Sequence, residues 1–161
     1  MTGRYAAFQD PRAAFEDALT GNVIRRRVVA GLIDLALVGV LFAVSFVLGT
    51  LFGIVTFGFG FAVLGLLPVI PVVYNWLFIA LAAATPGQRV MGLVVRRNDD
   101  LGPPGGGEAL VWALGFALTM TLTLGVLWLC VVLLSVRKRA LHDMLSGLVV
   151  VRAQALAGAG L

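Results

Sequence analysis

Residues 35–88 read LALVGVLFAVSFVLGTLFGIVTFGFGFAVLGLLPVIPVVYNWLFIALAAATPGQ and contain no Asp, Glu, Lys or Arg. A second charge-free stretch runs from Ala109 to Val136. The hydrocarbon core of a bilayer is about 30 Å thick and a helix rises about 1.5 Å per residue. The first stretch is therefore long enough for two crossings and the second for roughly one, which predicts an all-α membrane protein.

Composition supports this interpretation. Of the 161 residues, 60% are hydrophobic and only 12% are charged, and the mean hydropathy is +1.02. A soluble domain has about 25% charged residues, so these residues cannot cover a water-exposed surface. Cys130 is the only cysteine, which excludes an intrachain disulfide and a cysteine-based metal site. We expect no metal and no cofactor.

The basic residues indicate where the lipid headgroups lie. The sequence pI is about 10.2, but most basic residues abut the apolar stretches instead of forming a nucleic-acid-binding surface. Such juxtamembrane residues stay cytoplasmic and face anionic lipid. We therefore expect a multi-pass protein with a cytoplasmic N-terminus and no nucleic-acid partner. The clusters comprise Arg25, Arg26 and Arg27; Arg89, Arg96 and Arg97; and Arg137, Lys138, Arg139 and Arg152.

The chain divides into three regions. Residues 1–24 form a polar cytoplasmic tail, in which Asp10, Pro11 and Gly21 suggest the bounds of a short interfacial helix. Residues 25–152 form a small helical bundle, and residues 153–161 form a disordered tail. Within the bundle, we predict hydrophobic segments at about 28–50, 62–84 and 109–136, a far-side turn within 52–61, a kink at Pro68 and Pro71, and a flexible loop at 96–108.

A near-repeat limits the topology. GLVVRR (Gly92–Arg97) returns as GLVVVR (Gly147–Arg152), and two such β-prone pieces can pair as a juxtamembrane extended pair if both lie on one side of the membrane. The third hydrophobic segment is too short for two full crossings. It forms either a re-entrant hairpin turning near Thr119–Thr123, which we favour, or a single span that gives an odd number of crossings.

Small residues recur every fourth position in the first segment, at Ser45, Gly49 and Gly53. This spacing lets another helix approach closely, although membrane helices are rich in glycine in general. A chain with two or three spans encloses little pore, so we expect a homo-oligomer.

Asp34 is the sole ionisable residue between Val28 and Gln88. A carboxylate near the membrane centre costs at least about 2.5–3.5 kcal/mol, so it needs a partner, a water-filled cavity or a proton. Arg27 lies seven residues earlier and points away from Asp34. We therefore expect Asp34 to meet another segment, and the candidates are Asn75, Arg89 and Arg139.

Other polar residues have weaker signals. We interpret Tyr74 and Trp76 as packing aromatics, and Arg139 and Asp143 as an exposed pair one helical turn apart. His142, the only histidine, is predicted to be solvated. The sequence has no HExxH or GxSxG motif and no phosphate-binding loop, so we do not expect an enzyme.

Three separated motifs resemble the RDD family of small bacterial membrane proteins, which is named for one arginine and two aspartates. The motifs are RRRVVAGLID (Arg25–Asp34), TPGQRVMGLVV (Thr85–Val95) and RALHDMLSGLVVVR (Arg139–Arg152). The resemblance implies that Arg27, with Arg26 as the neighbouring alternative, Asp34 and Asp143 are the signature residues. It also covers Thr85, Pro86, Gly87 and Arg89. The chain departs from the family pattern at Leu110–Leu114, where relatives often carry an arginine, and at Leu148, where a threonine is frequent.

The resemblance implies a bacterial cytoplasmic-membrane protein that transports an ion or small solute, since sodium–proton exchange is proposed for some members. On this hypothesis a monovalent cation or proton binds among Arg27, Asp34, Arg89 and Asp143, with secondary contributions from Arg26, Asn75, Thr85, Gly87, Arg139 and His142. The alternative is a structural charge cluster in a protein that scaffolds another membrane complex.

Overall fold

The computed structural model describes residue 15 and residues 18–123 and 140–158. The predictions for Asp10, Cys130, Arg137, Lys138 and Arg139, and for the second half of the third hydrophobic segment, lie outside these residues. The described elements are, in chain order, α1 (Val23–Val55), a 3₁₀ helix (Phe59–Val69), α2 (Ile70–Ala82), α3 (Pro86–Val90), β1 (Leu93–Arg97), α4 (Gly106–Thr123), α5 (Leu141–Leu145), β2 (Leu148–Arg152) and α6 (Ala153–Gly158).

Two helical segments are long and apolar enough to cross a membrane, Ala18–Val55 and Phe59–Ala82. They are joined by a turn in which Gly58 has a φ of 102°. Gly49 and Gly53 of α1 pack against Leu64 and Phe61. The contact leaves no room for a side chain, since a Cβ on Gly49 would lie only 2.5 Å from Leu64 Cδ2. The predicted close approach at the small residues therefore occurs within the chain.

The second span changes helix type at its two prolines. It is a 3₁₀ helix through Pro68 and becomes α-helical from Ile70. Pro68 and Pro71 lack the backbone N–H that a continuous α-helix would use, so the change falls where donors are missing anyway. Asn75 donates from Nδ2 to Pro71 O at 2.8 Å, one turn earlier in the same helix.

The repeated GLVV segments pair as an antiparallel two-stranded sheet, as predicted, with Leu93 opposite Arg152 and Arg97 opposite Leu148. One face of the sheet packs toward the spans, where Leu93, Val95, Leu148 and Val150 join Ile79 and Trp112 in the main core. The other face packs against a smaller cluster that contains Leu19, Val149, Val151 and Leu156. The sheet thus lies between the spans and two terminal segments.

Both terminal segments differ from the prediction. Residues 153–158 form helix α6 instead of a disordered tail, because Leu156 is buried against the sheet. Leu19, predicted to lie on an interfacial helix, is buried against the same face. The loop of residues 98–105 is also held in place, since Arg97 makes a bidentate contact with Asp100 and Asp100 accepts from Gly102 N–H.

The two flanks of the third hydrophobic segment lie together. Trp112, near its start, donates from Nε1 to Asp143, after its end, at 2.7 Å. Helix α4 is continuous through Thr123, so the described residues contain no turn at Thr119. Because an odd number of crossings would put these flanks on opposite sides of the bilayer, their contact favours an even number.

Candidate functional site

Asp34 accepts hydrogen bonds from three neutral donors on other segments. Tyr74 Oη donates to Oδ1 at 2.7 Å, Thr85 Oγ1 donates to Oδ2 at 2.5 Å, and the Gly87 N–H donates to Oδ1 at 2.8 Å. Within residues 18–123 and 140–158, no basic side chain forms an ion pair with this carboxylate. The prediction that Asp34 meets another segment is right, but its partners are not Asn75 or Arg89.

The local sequence of α3 explains this arrangement. Thr85 begins α3 with a reciprocal capping box, in which Gln88 N–H donates to Thr85 Oγ1 and Thr85 N–H donates to Gln88 Oε1. Pro86 follows at the first helical position, where a missing N–H costs nothing. The next free N–H, that of Gly87, then points at Asp34, and a negative charge is favoured at a helix N-terminus.

Gly87 is required for the close contact between α3 and α1. A Cβ at this position would lie 2.8 Å from Asp34 Oδ2 and would overlap the carbonyl oxygen of Ala30. Real Cβ atoms do not approach backbone oxygens so closely, and the neighbour here is backbone that cannot rotate away. The glycine therefore sets the distance between the carboxylate and its donors.

The helix that carries Asp34 continues for one full crossing length beyond it. The 21 residues Leu35–Val55 complete α1 without a charge and span about 30 Å, which is one hydrocarbon thickness. The donors Thr85 and Gly87 come directly after α2 ends at Ala82. These lengths allow Asp34 and its donors to lie at one end of the crossings.

Asp143 forms a second, fully buried carboxylate site. Its Oδ2 accepts from Arg27 Nη2 at 2.5 Å and from the Ala140 N–H at 2.8 Å, while its Oδ1 accepts from Trp112 Nε1. Both charged side chains are buried, with relative exposures of 6% for Arg27 and 0% for Asp143. A buried ion pair of this kind is stable only when further hydrogen bonds complete it, as Ala140 and Trp112 do here.

Charge and burial act on His142 and Asp143 in opposite directions. Burial alone would raise the pKa of Asp143, but Arg27 and the hydrogen bond from Ala140 hold the pKa below its usual value. Burial lowers the pKa of His142 to about 4, against the opposing charge of Asp143, so the imidazole is neutral at physiological pH. The ring lies edge-on to Trp112 and Phe116, with centroid distances of 4.8 and 5.2 Å. The predicted solvated histidine is therefore wrong.

One face of α1 connects the two sites. Arg27, Ala30 and Asp34 follow each other at helical spacing, with Arg27 bound to Asp143 after the third hydrophobic segment and Asp34 bound to α3. Arg26 extends this face by donating from Nη1 to Met91 O at 2.7 Å. The first helix thus joins both short helices at the same end of the spans.

The remaining predicted site residues lie apart from the two carboxylates. Arg89 is exposed, and its Nη2 donates to Ala82 O, at the end of α2, at 3.4 Å. Asn75 is buried, but its side chain donates to Pro71 O within α2. The four residues Arg27, Asp34, Arg89 and Asp143 therefore do not form one cluster but two sites and one exposed cation.

Two donors, Tyr74 and Trp112, were missed by the sequence interpretation. Each has an apolar ring and one polar hydrogen that needs an acceptor when buried, and this was the available signal. Among the described residues, no group of three or more His, Cys, Asp and Glu side chains could hold a metal ion. The Asp34 carboxylate can bind a proton or a small cation, and both carboxylates pair segments that are far apart in the chain.

Two apolar spans, a third apolar helix and charged residues gathered at one end of the spans define an integral membrane protein. A family model described as the RDD family matches residues 22–147, so the chain belongs to that family. No curated protein and no solved structure matches it.

Proposed function

We propose that this RDD family member moves a monovalent cation or a proton across the cytoplasmic membrane of a bacterium, with Asp34 as the residue that binds it. The observation that carries the proposal is the set of Asp34 partners. Its carboxylate is held by three neutral donors and by no basic side chain within the described residues. A carboxylate at the edge of the hydrocarbon lacks a counter-charge there, and a cation or proton supplies one.

The surroundings of Asp34 suit a small hard ion. Thr85 Oγ1 and the Ala30 carbonyl oxygen lie around the carboxylate, and hard cations prefer such oxygen ligands. The basic residues at the same end of the spans keep this end cytoplasmic and bind anionic headgroups. Because two spans enclose no pore, transport in this proposal takes a homo-oligomer. The proposal contains no catalytic step.

The test is cation-driven proton movement in proteoliposomes that contain a trapped pH-sensitive dye. Wild type is compared with Asp34→Asn and with the matched control Asp99→Asn, which changes an exposed loop carboxylate. We expect flux in wild type and in the control and none in Asp34→Asn. Flux that persists in correctly inserted Asp34→Asn protein contradicts the proposal.

A second candidate function, a scaffold for another membrane complex, is favoured by the Arg27–Asp143 pair. This pair and the Asp34 hydrogen bonds join segments that are far apart in sequence. For this function we expect no flux in any variant, lower thermal stability in Asp34→Asn, and co-purification of a defined membrane partner from native membranes after crosslinking. If no variant gives flux and no such partner co-purifies, the scaffold function is contradicted.

A further inference from the structure

Two segments of the chain share one backbone structure. Thr85–Arg97 and Ala140–Arg152 each begin with an extended residue, continue as a five-residue helix, turn at a glycine and end as a five-residue strand. The glycines, Gly92 and Gly147, have φ values of 66° and 70°. In each segment the first N–H donates to the side chain three residues later, Gln88 in one and Asp143 in the other. We name these segments the first and second unit.

A pseudo-twofold axis relates the units. Equivalent positions differ by 55 residues, from 85 to 140 and from 97 to 152, and the equivalent residues Val95 and Val150 pair directly with each other. On either side of this pair the two units exchange partners. Leu93 pairs with Arg152, and their equivalents, Leu148 and Arg97, pair with each other. The exchange continues past the strands. The Asn98 N–H donates to Gly147 O at 3.0 Å, and the equivalent Ala153 N–H donates to Gly92 O at 3.0 Å.

The direction of this axis decides the relative depth of the two units. Both units lie at the same end of the spans, since α1 contacts both through Arg27 and Asp34. A twofold axis along the membrane normal would place α3 and α5 at the same depth, whereas an axis parallel to the membrane would not require it.

The two short helices also expose equivalent positions. Arg89 and Val90 of α3 are exposed, and so are their equivalents Met144 and Leu145 of α5, with relative exposures of 72% for Val90 and 64% for Leu145. The residues just before them, Gly87 and Gln88 in α3 and His142 and Asp143 in α5, are buried. Each helix therefore has one packed face and one outward face that is mostly apolar.

We propose that this axis runs along the membrane normal, that these outward faces lie in the lipid interface, at the boundary between headgroups and acyl chains, and that α3 and α5 contact the bilayer at one common depth. Helix α3 begins four residues after the second span ends at Ala82, where Leu81 is itself exposed. The outward face of α3 is thus continuous with the lipid-facing surface of the span, and the axis carries the same depth to α5. This inference does not depend on transport.

The two faces differ in the lipid group that they meet. Arg89 presents an exposed guanidinium at the level where an arginine reaches headgroup phosphates while its stem stays in apolar surroundings. Met144 occupies the equivalent position in α5 and has no charge, so α5 contacts the bilayer through apolar side chains alone. The first unit therefore supplies the headgroup contact and the second an apolar contact.

Depth measurements with spin labels test the proposal. Cysteines replace Val90 and Leu145 one at a time in a Cys130→Ser background, and the labelled proteins are placed in vesicles of phosphatidylcholine and phosphatidylglycerol. Depth is obtained from the relative accessibility of each label to oxygen and to a water-soluble nickel chelate. Asp99→Cys supplies the aqueous control and Val40→Cys, an exposed position within α1, the lipid-core control.

We expect both test labels to lie between the controls, about 5–10 Å into the interface. Their depths should agree within about 3 Å, the rise of two helical residues. Nickel accessibility like that of the Asp99 label at either position, or a clear difference in depth, overturns the proposal. Shielding from both oxygen and nickel would reveal a protein partner on these faces and would overturn it as well. Labels at the neighbouring pair Arg89 and Met144 repeat the test if either variant fails to fold.

Discussion

Arg27 and Asp143 are 116 residues apart in the chain, yet Arg27 Nη2 lies 2.5 Å from Asp143 Oδ2 in a fully buried pair. Each residue belongs to a different half of the molecule, one to the start of the first span and the other to the short helix after the third hydrophobic segment. The pair therefore fixes the return of the chain to the end of the spans from which it started.

Neutralising one member of this pair should destabilise the protein strongly. Asp143→Asn leaves the Arg27 guanidinium buried opposite a neutral amide, and Arg27→Gln removes a buried positive charge from Asp143. For each variant we expect a loss of about 3–5 kcal/mol in the free energy of unfolding. The double variant should lose less than the sum of the two single losses. Unfolding in detergent micelles measures all three.

The exposed pair Arg97–Asp100 provides the matched control for this experiment. Its two side chains form a bidentate contact at 2.6 and 3.0 Å, but both are open to water. Exposed pairs contribute little, so Asp100→Asn should leave the unfolding midpoint almost unchanged. Equal losses in the buried and exposed pairs would contradict the assigned role of Arg27 and Asp143.

Stability should fall as the pH is lowered from 6.5 to 4. The pKa of His142 is lowered by burial from 6.5 to about 4, so the unfolded chain binds a proton in this range that the folded chain does not. By linkage, the contribution of the neutral histidine to the free energy of unfolding is complete above pH 6.5. It is lost as the pH falls toward 4, on the order of 3 kcal/mol in all. The lowered pKa of Asp143 continues the same trend at lower pH, because its stabilisation is lost as the carboxylate becomes protonated.

His142→Phe separates the histidine from the carboxylates. His142 is the only histidine, and its ring already packs edge-on between Trp112 and Phe116. The variant keeps an aromatic ring there, and its unfolding midpoint should not change between pH 6.5 and 5. A midpoint that falls in this range as steeply as that of wild type would refute the assignment.

The spans and the sheet could be predicted from the sequence because each depends on local pattern. The absence of charges from Leu35 to Gln88 requires apolar surroundings, and the repeated GLVV segments have both the composition and the bounding glycines of strands. The predictions of two long apolar helices and of an extended pair are confirmed. The general location of the polar residues, at one end of the spans, follows from the same pattern.

The partners of the carboxylates could not be predicted in this way. Arg89 carries a charge and was an obvious candidate for Asp34, but the N-terminus of α3 supplies donors that no side-chain pattern reveals. The depth of Asp34 was likewise ambiguous, since a charge-free stretch does not show where the first helix leaves the bilayer.

Gly87→Ala should loosen the contact between α3 and α1. The added methyl group would overlap Ala30 O and approach Asp34. We therefore expect a loss of about 1–3 kcal/mol in the free energy of unfolding and weaker hydrogen-exchange protection of the amide at position 87. Gly39→Ala is the control, because nothing lies within 4 Å of a Cβ at that position of α1. This control should be neutral or slightly more stable, since alanine favours a helix more than glycine does. Equal effects would show that the space around Gly87 is not limiting.

Thr85 should be sensitive to loss of its hydroxyl. Its Oγ1 donates to Asp34 and accepts from Gln88 N–H, so Thr85→Val removes a charge-assisted hydrogen bond and a helix cap together. We expect a loss of about 2–3 kcal/mol in the free energy of unfolding. Thr85→Ser keeps both bonds and should cost much less. If serine and valine destabilise equally, the methyl group and not the hydroxyl is responsible.

The contact between the flanks of the third hydrophobic segment predicts which loops share a side of the membrane. Single cysteines at Asp99, Gln154 and Phe59, in a Cys130→Ser background, can be tested with a membrane-impermeant thiol reagent on vesicles of both orientations. Asp99 and Gln154 flank the paired units and should react from one side, whereas Phe59, just after the far turn, should react from the other. Gln154 reacting from the same side as Phe59 would mean an odd number of crossings. In that case Trp112 and Asp143 could not share a hydrogen bond, nor could β1 pair with β2.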